Sequence, residues 1–349
     1  SVVIYGANQH TVEMLSLIKD VPKPKIISII DYNPKINSIS NIPIIKPKDK
    51  FLSEVDLIII STDRNEELLF KNAKSLVKET KIPIIRIYHD YLVNYFAKTF
   101  LVNSHPITPK TSYIMCTVRR SGSVVLESLL KSTNLVGNPK WHFGKLYKLT
   151  KNLQLETDYL DIINKIITLS SSKNKIFGTK MHWATYNQFE TAVTNTNKFG
   201  PLKGDRLVRS VFPNVHYIFL KRNNNVKQAI SLFKAQKTDI WAKTKEHDSH
   251  DLTLSYNFDG ILQALKSIKY EEKSWTNFFR ENDIKPLTLI YEDFIKDFDK
   301  TIITIFKFLD VKVPTNFSLP KPKYKKLADN LSEEWYVIFS KDYAKFCKK

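Results

Sequence analysis

The sequence predicts an α/β protein of two domains, each with helices packed on the faces of a parallel sheet. Runs of Val, Ile and Leu of strand length alternate with amphipathic stretches of helix length, and glycine or polar turns separate them. The 349 residues fit two domains, and a hydrophobic fraction of 42% supplies a core for each. With 8 Gly and 2 Cys, the chain is neither collagen-like nor a disulfide scaffold.

The first domain, residues 1–103, opens with the order of a Rossmann-type βαβ unit. Val2 to Tyr5 is a β-branched run that ends at Gly6, a helical pattern follows, and a second apolar run ends at Asp31. The helix is predicted at Thr11 to Ile18 and the second strand at Ile26 to Ile30, and further elements are predicted at 57–61 (strand), 65–79 (helix) and 82–87 (strand).

The first turn of this domain does not predict a dinucleotide. It reads Gly6-Ala-Asn-Gln-His-Thr11, with one glycine where G-x-G-x-x-G requires three. The glycine turn with its His, and the strand that ends in Asp31, resemble the Rossmann-like domain that precedes bacterial sugar O-acyltransferases. We expect a scaffold or a partner-docking domain here in preference to a nucleotide site.

The second domain is predicted at residues 112–349, after a linker at 104–111 that contains two prolines. A strand at Tyr113 to Cys116 and a helix from Val124 enclose a short loop rich in Arg, Gly and Ser. Such a loop directs backbone N–H groups and the positive end of the helix dipole toward one point. It therefore predicts a phosphate or sulfate site, with an ordinary serine-capped turn as the alternative.

Three side chains strengthen the anion prediction for this loop. Ser121 and Ser123 offer hydroxyl groups, and the guanidinium of Arg120 matches phosphate or sulfate oxygens. The NTPase pattern G-x-x-x-x-G-K-[ST] is absent from the sequence, since Val124 follows Ser123 and no Lys follows Gly122.

A second anion element is predicted after the strand at His216 to Leu220. Arg222 follows the end of that strand, and Ser231 lies on the next helix, which we expect to continue to Trp241. Ligands of open α/β sheets bind at the carboxyl ends of the strands, so Arg222 and Ser231 can converge on one anion. Two such elements in one domain predict a ligand that is phosphorylated at two places.

Seven segments in this order and spacing resemble the bacterial trehalose 2-sulfotransferase family over about residues 112–345. They are Arg120-Ser-Gly-Ser123, Gly137-Asn-Pro139, Phe177 to Trp183, Arg222 to Ser231, Gln236 to Thr238 with Trp241, Tyr291-Glu292, and Asp329 with Ser332 to Trp335. The resemblance implies a P-loop-like domain that transfers the sulfuryl group of 3′-phosphoadenosine-5′-phosphosulfate (PAPS) to a hydroxyl, often on a carbohydrate, and releases 3′,5′-ADP without a metal.

The resemblance also implies roles for individual residues. Arg120, Ser121, Gly122 and Ser123 would bind the 5′-phosphosulfate, with Arg120 on the bridging and sulfuryl oxygens. Arg222 and Ser231 would hold the 3′-phosphate. The family usually has Thr or Ser where this chain has Val124, and the extra charge of Arg119 compensates in part.

The catalytic base departs from the family pattern, because Trp141 stands at the Glu position of Gly-x-Pro-x-Glu. His142 is our candidate for the base, since an unperturbed imidazole has a pKa of about 6.5, with a structural His as the alternative. His182 is the second candidate, and Lys180 is expected to contact the sulfuryl group or the acceptor. Trp141, Trp183 and Trp241 are candidates for stacking on a sugar ring, although core packing is the commoner use of Trp.

The formal net charge of +19 suits an anionic donor, but the lysines are scattered and no nucleic-acid motif is present, so no nucleic-acid partner is expected. No apolar run predicts a membrane span, and two distant cysteines favour a cytoplasmic location. His247 and His250 are interpreted as part of a solvated loop. A non-catalytic nucleotide-binding module and a nucleotide-sugar glycosyltransferase are the alternatives; the acceptor, a small molecule or a glycan, and a homo-oligomeric state are left open.

Overall fold

The computed structural model describes residues 1–17, 25–32, 34, 36–47, 54–62, 66–78, 80–86, 107–144, 159–238, 241, 254–315, 317–319 and 330–348. The described residues up to Arg86 belong to one compact unit, and those from Ile107 onward belong to a second. His247, His250 and Asp329, which the sequence singled out, lie outside the described residues.

The first unit is a parallel sheet with helices on both faces and one added antiparallel strand. Its described elements are β1 (Val2–Tyr5), α1 (Gln9–Leu17), β2 (Ile26–Ile30), β3 (Ser38–Ile39), β4 (Ile42–Ile45), β5 (Leu57–Ile60), α2 (Glu66–Leu76) and β6 (Ile84–Arg86). The strand order is β3-β4-β2-β1-β5-β6, and only the β3–β4 pair among these is antiparallel. The parallel strands thus have the doubly wound order expected of a Rossmann-like sheet.

The strands of the first unit are apolar on both faces because helices cover both. Val3, Tyr5 and Ile58 pack toward α2, where Ala73 is fully buried. Ile4 and Ile29 belong to a separate cluster that includes Leu15 of α1. This alternation along β1 explains why the sequence shows a continuous apolar run there and not a polar–apolar pattern.

Helix α1 begins two residues earlier than the apolar periodicity indicates. The Asn8 side chain accepts hydrogen bonds from the backbone N–H groups of His10 (2.9 Å) and Thr11 (3.3 Å), as an N-cap residue does. Asn8 therefore sets the start of α1, whereas the apolar periodicity marks only the buried face of the helix.

The second unit carries the two predicted anion elements. Its described elements are β7 (Thr111–Thr117), α3 (Ser123–Ser132), α4 (Tyr159–Ser170), β8 (Ile176–His182), α5 (Trp183–Thr194), α6 (Gly204–Val211), β9 (Val215–Lys221), α7 (Asn225–Thr238), α8 (Phe258–Glu281), β10 (Leu287–Ile290), α9 (Tyr291–Phe294), α10 (Phe298–Phe308) and α11 (Asn330–Phe346). Thr111, expected to close the linker, is the first residue of β7, and α7 ends at Thr238, before Trp241.

In the described part of this unit, the strands form a parallel sheet in the order β10-β9-β7-β8. The first strand, β7, therefore has the second on one side and the third on the other. The carboxyl ends of β7 and β9 flank the topological switch point, which is where open α/β sheets bind their ligands. The strand, loop and helix formed by β7, residues 118–122 and α3 give the P-loop-like arrangement.

The core of the second unit lies on both faces of this sheet. On one face, Met115 and Ile218 of the strands pack with Leu126 of α3 and Ile305 of α10. The other face is aromatic: the rings of Phe177 and Phe212 stack with centroids 5.6 Å apart. Two packed faces hold the strand ends rigidly, which fixes the loops that follow them. The described helices include none with the length and hydropathy needed to span a bilayer.

Candidate functional site

The loop that follows β7 has a backbone conformation that depends on Gly122. Arg120 and Gly122 both have positive φ angles, of 66° and 83°. A Cβ atom on Gly122 would lie 2.6 Å from Cδ2 of Tyr291, so the position has no room for a side chain. The chain therefore turns sharply into α3 with Gly122 as the N-cap residue.

This turn leaves polar groups without partners at the start of α3. No hydrogen bond within the described chain involves the N–H groups of Gly122, Ser123 or Val124, and Gly122 provides no side-chain cap. The hydroxyl of Ser121 is fully buried and also lacks a partner among the described residues. Buried polar groups are rarely left unpaired, so the predicted loop has the donors that an anion needs.

Arg120 extends from this loop to the second anion element. Its Nε donates to the Ser231 hydroxyl over 3.0 Å, and its Nη1 donates to the carbonyl of Trp241. Burial, and next the charge of Arg222, lower the pKa of Arg120 to about 10. The guanidinium remains a cation at neutral pH, and the contact with Ser231 joins the two elements that the sequence predicted separately.

Arg222 is the second buried cation of the site. Its guanidinium lies 4.6 Å from the centre of the Tyr291 ring, and its Nε is 3.6 Å from Oε1 of Glu292. That Nε has no hydrogen-bond partner within the described residues. Burial lowers the pKa of Arg222, while Tyr291 and Glu292 act in the opposite direction. Two buried guanidinium groups close together favour a ligand with several negative charges.

Glu292 fixes the loop that carries Arg222. Its carboxylate accepts hydrogen bonds from the backbone N–H groups of Asn223 (3.0 Å) and Asn224 (3.2 Å). Burial alone would raise the pKa of Glu292, but these N–H groups and Arg222 hold the pKa below its usual value. Sequence reasoning gave Tyr291 and Glu292 no role. The sequence feature that could have identified them as site residues is their position directly after the strand β10.

Arg119 points away from the loop toward α8. Its Nε donates to Oε1 of Glu271 over 2.9 Å, and its Nη2 donates to Ser267 over 2.6 Å. Burial raises the pKa of Glu271, and the charge of Arg119 opposes this increase. Arg119 was predicted to help bind the donor; in the structure its hydrogen bonds attach the loop to α8.

Lys180 lies on β8 and forms a buried ion pair with α3. Its Nζ is 2.5 Å from Oε2 of Glu127, and the two side chains are 7% and 19% exposed. The pair ties the helix that follows the anion loop to the neighbouring strand. A contact of Lys180 with the sulfuryl group or the acceptor stays a prediction.

His142, the candidate base, lies among aromatic side chains. Its Nε2 bonds with the carbonyl of Asn138 over 2.9 Å, and its ring stacks on Phe177 at 6.2 Å. Burial lowers the pKa of His142 to about 4, with Lys140 and Lys180 acting in the same direction. The ring is therefore neutral at pH 7, and its role as a base stays a prediction.

His182 lies at the carboxyl end of β8, directly opposite Thr117 at the end of β7. Its Nδ1 bonds with the Thr117 hydroxyl over 3.0 Å. Burial, and then the charge of Lys180, lower its pKa to about 3. The ring of Trp141 lies 6.0 Å from that of His182, and the indole N–H donates to Thr185. His182 and Trp141 thus lie together at the strand edge that carries the anion loop.

The fold and the two anion elements define an α/β protein with a P-loop-like turn whose unpaired donors and cations suit a highly charged anion. Residues 112–342 match the Stf0 sulphotransferase family, and the chain belongs to this family. It is therefore a sulfotransferase, which decides against the glycosyltransferase considered from the sequence. The matched region begins one residue after the start of β7 and does not include the first unit.

Two curated relatives and two solved structures that are named as sulfotransferases are similar to this chain over about two thirds of its length. Trehalose 2-sulfotransferase of Mycolicibacterium smegmatis is 22% identical in an alignment of length 272 that covers 69% of this chain and 97% of the relative. Trehalose 2-sulfotransferase of Mycobacterium tuberculosis is 21% identical, over 64% of this chain and 92% of its own length. The sulfotransferase domain of the Synechococcus olefin synthase is 14% identical with a TM-score of 0.38, over 69% of this chain and 96% of that domain. A sulfotransferase from Alicyclobacillus acidocaldarius is 15% identical with a TM-score of 0.36, over 69% of this chain and 94% of its own.

Proposed function

We propose that this sulfotransferase uses PAPS as its donor and transfers the sulfuryl group to a hydroxyl of a carbohydrate or a related small molecule. The observation that carries the proposal is the buried Ser121 hydroxyl, which lacks a partner in the described structure beside three free backbone N–H groups. A phosphosulfate supplies the acceptor oxygens that these donors need. Arg120 adds the cation expected on the bridging and sulfuryl oxygens.

The second anion element supports a donor with a 3′-phosphate. Arg222 has a buried Nε that lies 3.6 Å from Glu292 but has no hydrogen-bond partner in the part of the chain described, and its guanidinium adjoins the same Tyr291 ring that packs beneath Gly122. One ligand with phosphate groups at both ends of an adenosine would relieve the repulsion between Arg120 and Arg222. We propose Arg222 and Ser231 for the 3′-phosphate.

In the proposed reaction, an acceptor hydroxyl oxygen attacks sulfur in line with the bond to the 5′-phosphate. The new S–O bond forms, the bond to the phosphate oxygen breaks, and 3′,5′-ADP departs with the electron pair. Arg120 and the loop N–H groups stabilise the charge on the departing phosphate, so most of the rate enhancement comes from positioning and electrostatics. The hydroxyl proton passes to a base, for which His142 and His182 stay the candidates; both are neutral at pH 7, and burial makes each a weaker proton acceptor than a free imidazole.

The acceptor class and the location are also proposals. Both trehalose 2-sulfotransferases act on a sugar according to their names, which supports a sugar acceptor here. Trp141 stands where the family has Glu, at the edge of the sheet next to His182, so we do not extend trehalose itself to this chain. The exposed Cys347 is a free thiol, which supports the expected cytoplasmic location.

The first test removes Arg120. Arg120→Ala is expected to lower sulfuryl transfer from PAPS by about a hundredfold or more, because it removes the cation on the departing phosphate. Arg209→Ala is the matched control, since Arg209 pairs with Asp205 on the exposed side of α6. Transfer is measured with labelled PAPS and a panel of sugar acceptors. Full activity of Arg120→Ala would contradict the assignment.

The 3′-phosphate assignment is tested by calorimetry with two nucleotides. The unmodified chain should bind 3′,5′-ADP more tightly than 5′-AMP, and Arg222→Ala should reduce this preference while leaving 5′-AMP binding nearly unchanged. Equal affinity of the unmodified chain for both nucleotides would refute a 3′-phosphate site at Arg222.

A further inference from the structure

A groove between α5 and α8 has the chemistry of a sugar-binding site. It encloses about 340 Å³ and lies wholly within the second unit. None of its lining residues belongs to the two anion elements. Its walls combine aromatic rings, side-chain amides and hydroxyl groups, and this combination is the basis of the inference.

Aromatic rings form the apolar part of the groove. Trp183 stacks on Tyr186 at 5.1 Å and meets the edge of the buried Trp275 at 5.1 Å, so its orientation is fixed by packing. Tyr270 on α8 also lines the groove and is 64% exposed, which is high for a ring of this size. Flat aromatic faces offer apolar contact to the C–H faces of a sugar ring while the tyrosine hydroxyl stays polar.

Polar side chains without protein partners face the same groove. No hydrogen bond to the side chain of Asn187, Ser274 or Asn277 is found within the described structure. Amide and hydroxyl groups act as donors and acceptors together, which is what vicinal hydroxyl groups of a sugar require. In Glu190, Oε1 already accepts from the Tyr186 hydroxyl and the Gly204 N–H, which leaves Oε2 as an acceptor for a ligand.

The charge of the groove selects an uncharged ligand. The chain has 54 Lys and Arg residues against 35 Asp and Glu, yet the described lining of the groove contains Glu190 and Glu281 and no basic residue. Glu281 pairs with Arg280 over 3.7 Å, and the remaining carboxylate of the lining, that of Glu190, would repel sulfate, phosphate or uronic acid groups. The groove therefore suits a neutral polyhydroxylated molecule and excludes the donor.

The groove adjoins the edge of the sheet where transfer is proposed. Trp183 directly follows His182, at the carboxyl end of β8. On α8, Tyr270 and Ser274 flank Glu271, the partner of Arg119 from the anion loop. Ser274 is three residues beyond Glu271, which is about 4.5 Å along the helix axis. The groove thus begins at the residue after His182 and shares α8 with Glu271, the partner of Arg119.

We propose that the groove between α5 and α8 binds an uncharged sugar unit of the acceptor, next to the unit that receives the sulfuryl group. This inference rests on the proposed function, because it assigns the groove to the acceptor of that reaction. It narrows the acceptor class to a neutral saccharide of at least two rings.

The test measures binding of short neutral oligosaccharides, and of the same oligosaccharides carrying a carboxylate or sulfate group, to the full chain without donor. We expect neutral members to bind and charged ones to bind more weakly. The double variant Tyr270→Ala with Asn277→Ala should weaken neutral binding about tenfold, as expected for losing a ring contact and a hydrogen bond. Thr276→Ala is the matched control, because Thr276 lies on α8 outside the groove lining and its hydroxyl bonds to the Glu272 carbonyl.

A kinetic measurement separates this role from a structural one. The double variant should raise KM for a neutral acceptor and leave kcat nearly unchanged, because a remote sugar unit is bound equally before and during transfer. Binding of 3′,5′-ADP should stay as in the unmodified chain. The groove assignment is overturned if no neutral oligosaccharide binds, if only anionic ones bind, or if the double variant behaves like Thr276→Ala. If the unmodified chain does not bind 3′,5′-ADP, the proposed function is overturned instead.

Discussion

Gly122 is the residue whose replacement should most directly disturb the anion loop. Its φ of 83° and the ring of Tyr291 both exclude a side chain. Gly122→Ala is expected to cost about 1–2 kcal/mol for the left-handed backbone and more for the contact with the ring. The variant should also bind 3′,5′-ADP more weakly, because the loop must shift. Thermal unfolding and calorimetry measure the two effects.

Gly200→Ala provides the matched control for this variant. Gly200 has a φ of 57°, and a Cβ added there would meet nothing within 4 Å, so the substitution tests backbone strain without the steric contact. The control should lose some stability and retain nucleotide affinity. Equal losses of stability and of nucleotide affinity in Gly122→Ala and Gly200→Ala would mean that the Tyr291 ring does not constrain the loop.

Individual side-chain roles were predictable only where the neighbours in sequence define them. The loop from Arg120 to Ser123 lies between a strand and a helix, so the local pattern was enough to predict an anion site there. Arg119 is paired with Glu271, which is 152 residues away, and Lys180 with Glu127, which is 53 residues away. No local pattern indicates such pairs, because they arise only when the sheet brings distant segments together.

The turn formed by the end of β10 and the short α9 supports the second anion element. Glu292→Ala removes the acceptor for the N–H groups of Asn223 and Asn224 and the partner of Arg222. We expect it to weaken 3′,5′-ADP binding about tenfold, since charge-assisted hydrogen bonds that orient Arg222 are lost. Binding of 5′-AMP should change much less. Isothermal titration with both nucleotides measures the difference.

Asp293→Ala is the control for Glu292→Ala. Asp293 is the adjacent carboxylate on α9, is 73% exposed and pairs with Lys296. It should leave both affinities unchanged. If Asp293→Ala and Glu292→Ala have the same effect, Glu292 acts through the net charge of the surface and not through the loop.

Among the elements, the central β-branched strands of the first unit were predictable and the β3–β4 hairpin was not. The predicted bounds of β1 and β2 are confirmed, because their β-branched runs end at a glycine and at an aspartate. The hairpin strands β3 and β4 were missed because the two residues of β3 carry no periodicity. The helix after β9 was extended too far, to Trp241, since its apolar pattern continues beyond the last turn of α7.

The stability of the second unit is expected to depend on pH through two buried histidines. Unfolded histidine has a pKa of about 6.5, whereas burial lowers the pKa of folded His142 to about 4 and of folded His182 to about 3. Between these values the unfolded chain binds protons that the folded chain does not. The free energy of unfolding should therefore be fully present above about pH 6.5 and fall as the pH decreases toward 4.

His142→Gln and His182→Asn test this pH dependence, because the amides replace Nε2 and Nδ1 as hydrogen-bonding groups. Each should make the fall in stability between about pH 6.5 and 4 shallower than in the unmodified chain. Urea unfolding followed by tryptophan fluorescence is suitable, since all 5 tryptophans lie in the second unit. If the free energy of unfolding changes with pH in both variants as it does in the unmodified chain, neither ring stays neutral in the folded protein. The decrease of the sulfuryl transfer rate at acidic pH is measured in the same variants. The variant in which this decrease disappears identifies which histidine is the base.

In the strand order β10-β9-β7-β8, β7 has β9 and β10 on one side and β8 on the other, and we propose a different function for each side. On the proposed assignment, the side with β9 and β10 recognises the nucleotide donor, whereas the side with β8, Trp141 and Trp183 contacts the molecule being modified. On this assignment, substitutions on the β8 side are expected to change the acceptor while the donor chemistry stays intact, and Trp141, at the position that the resemblance gives to Glu, is a substitution of this kind.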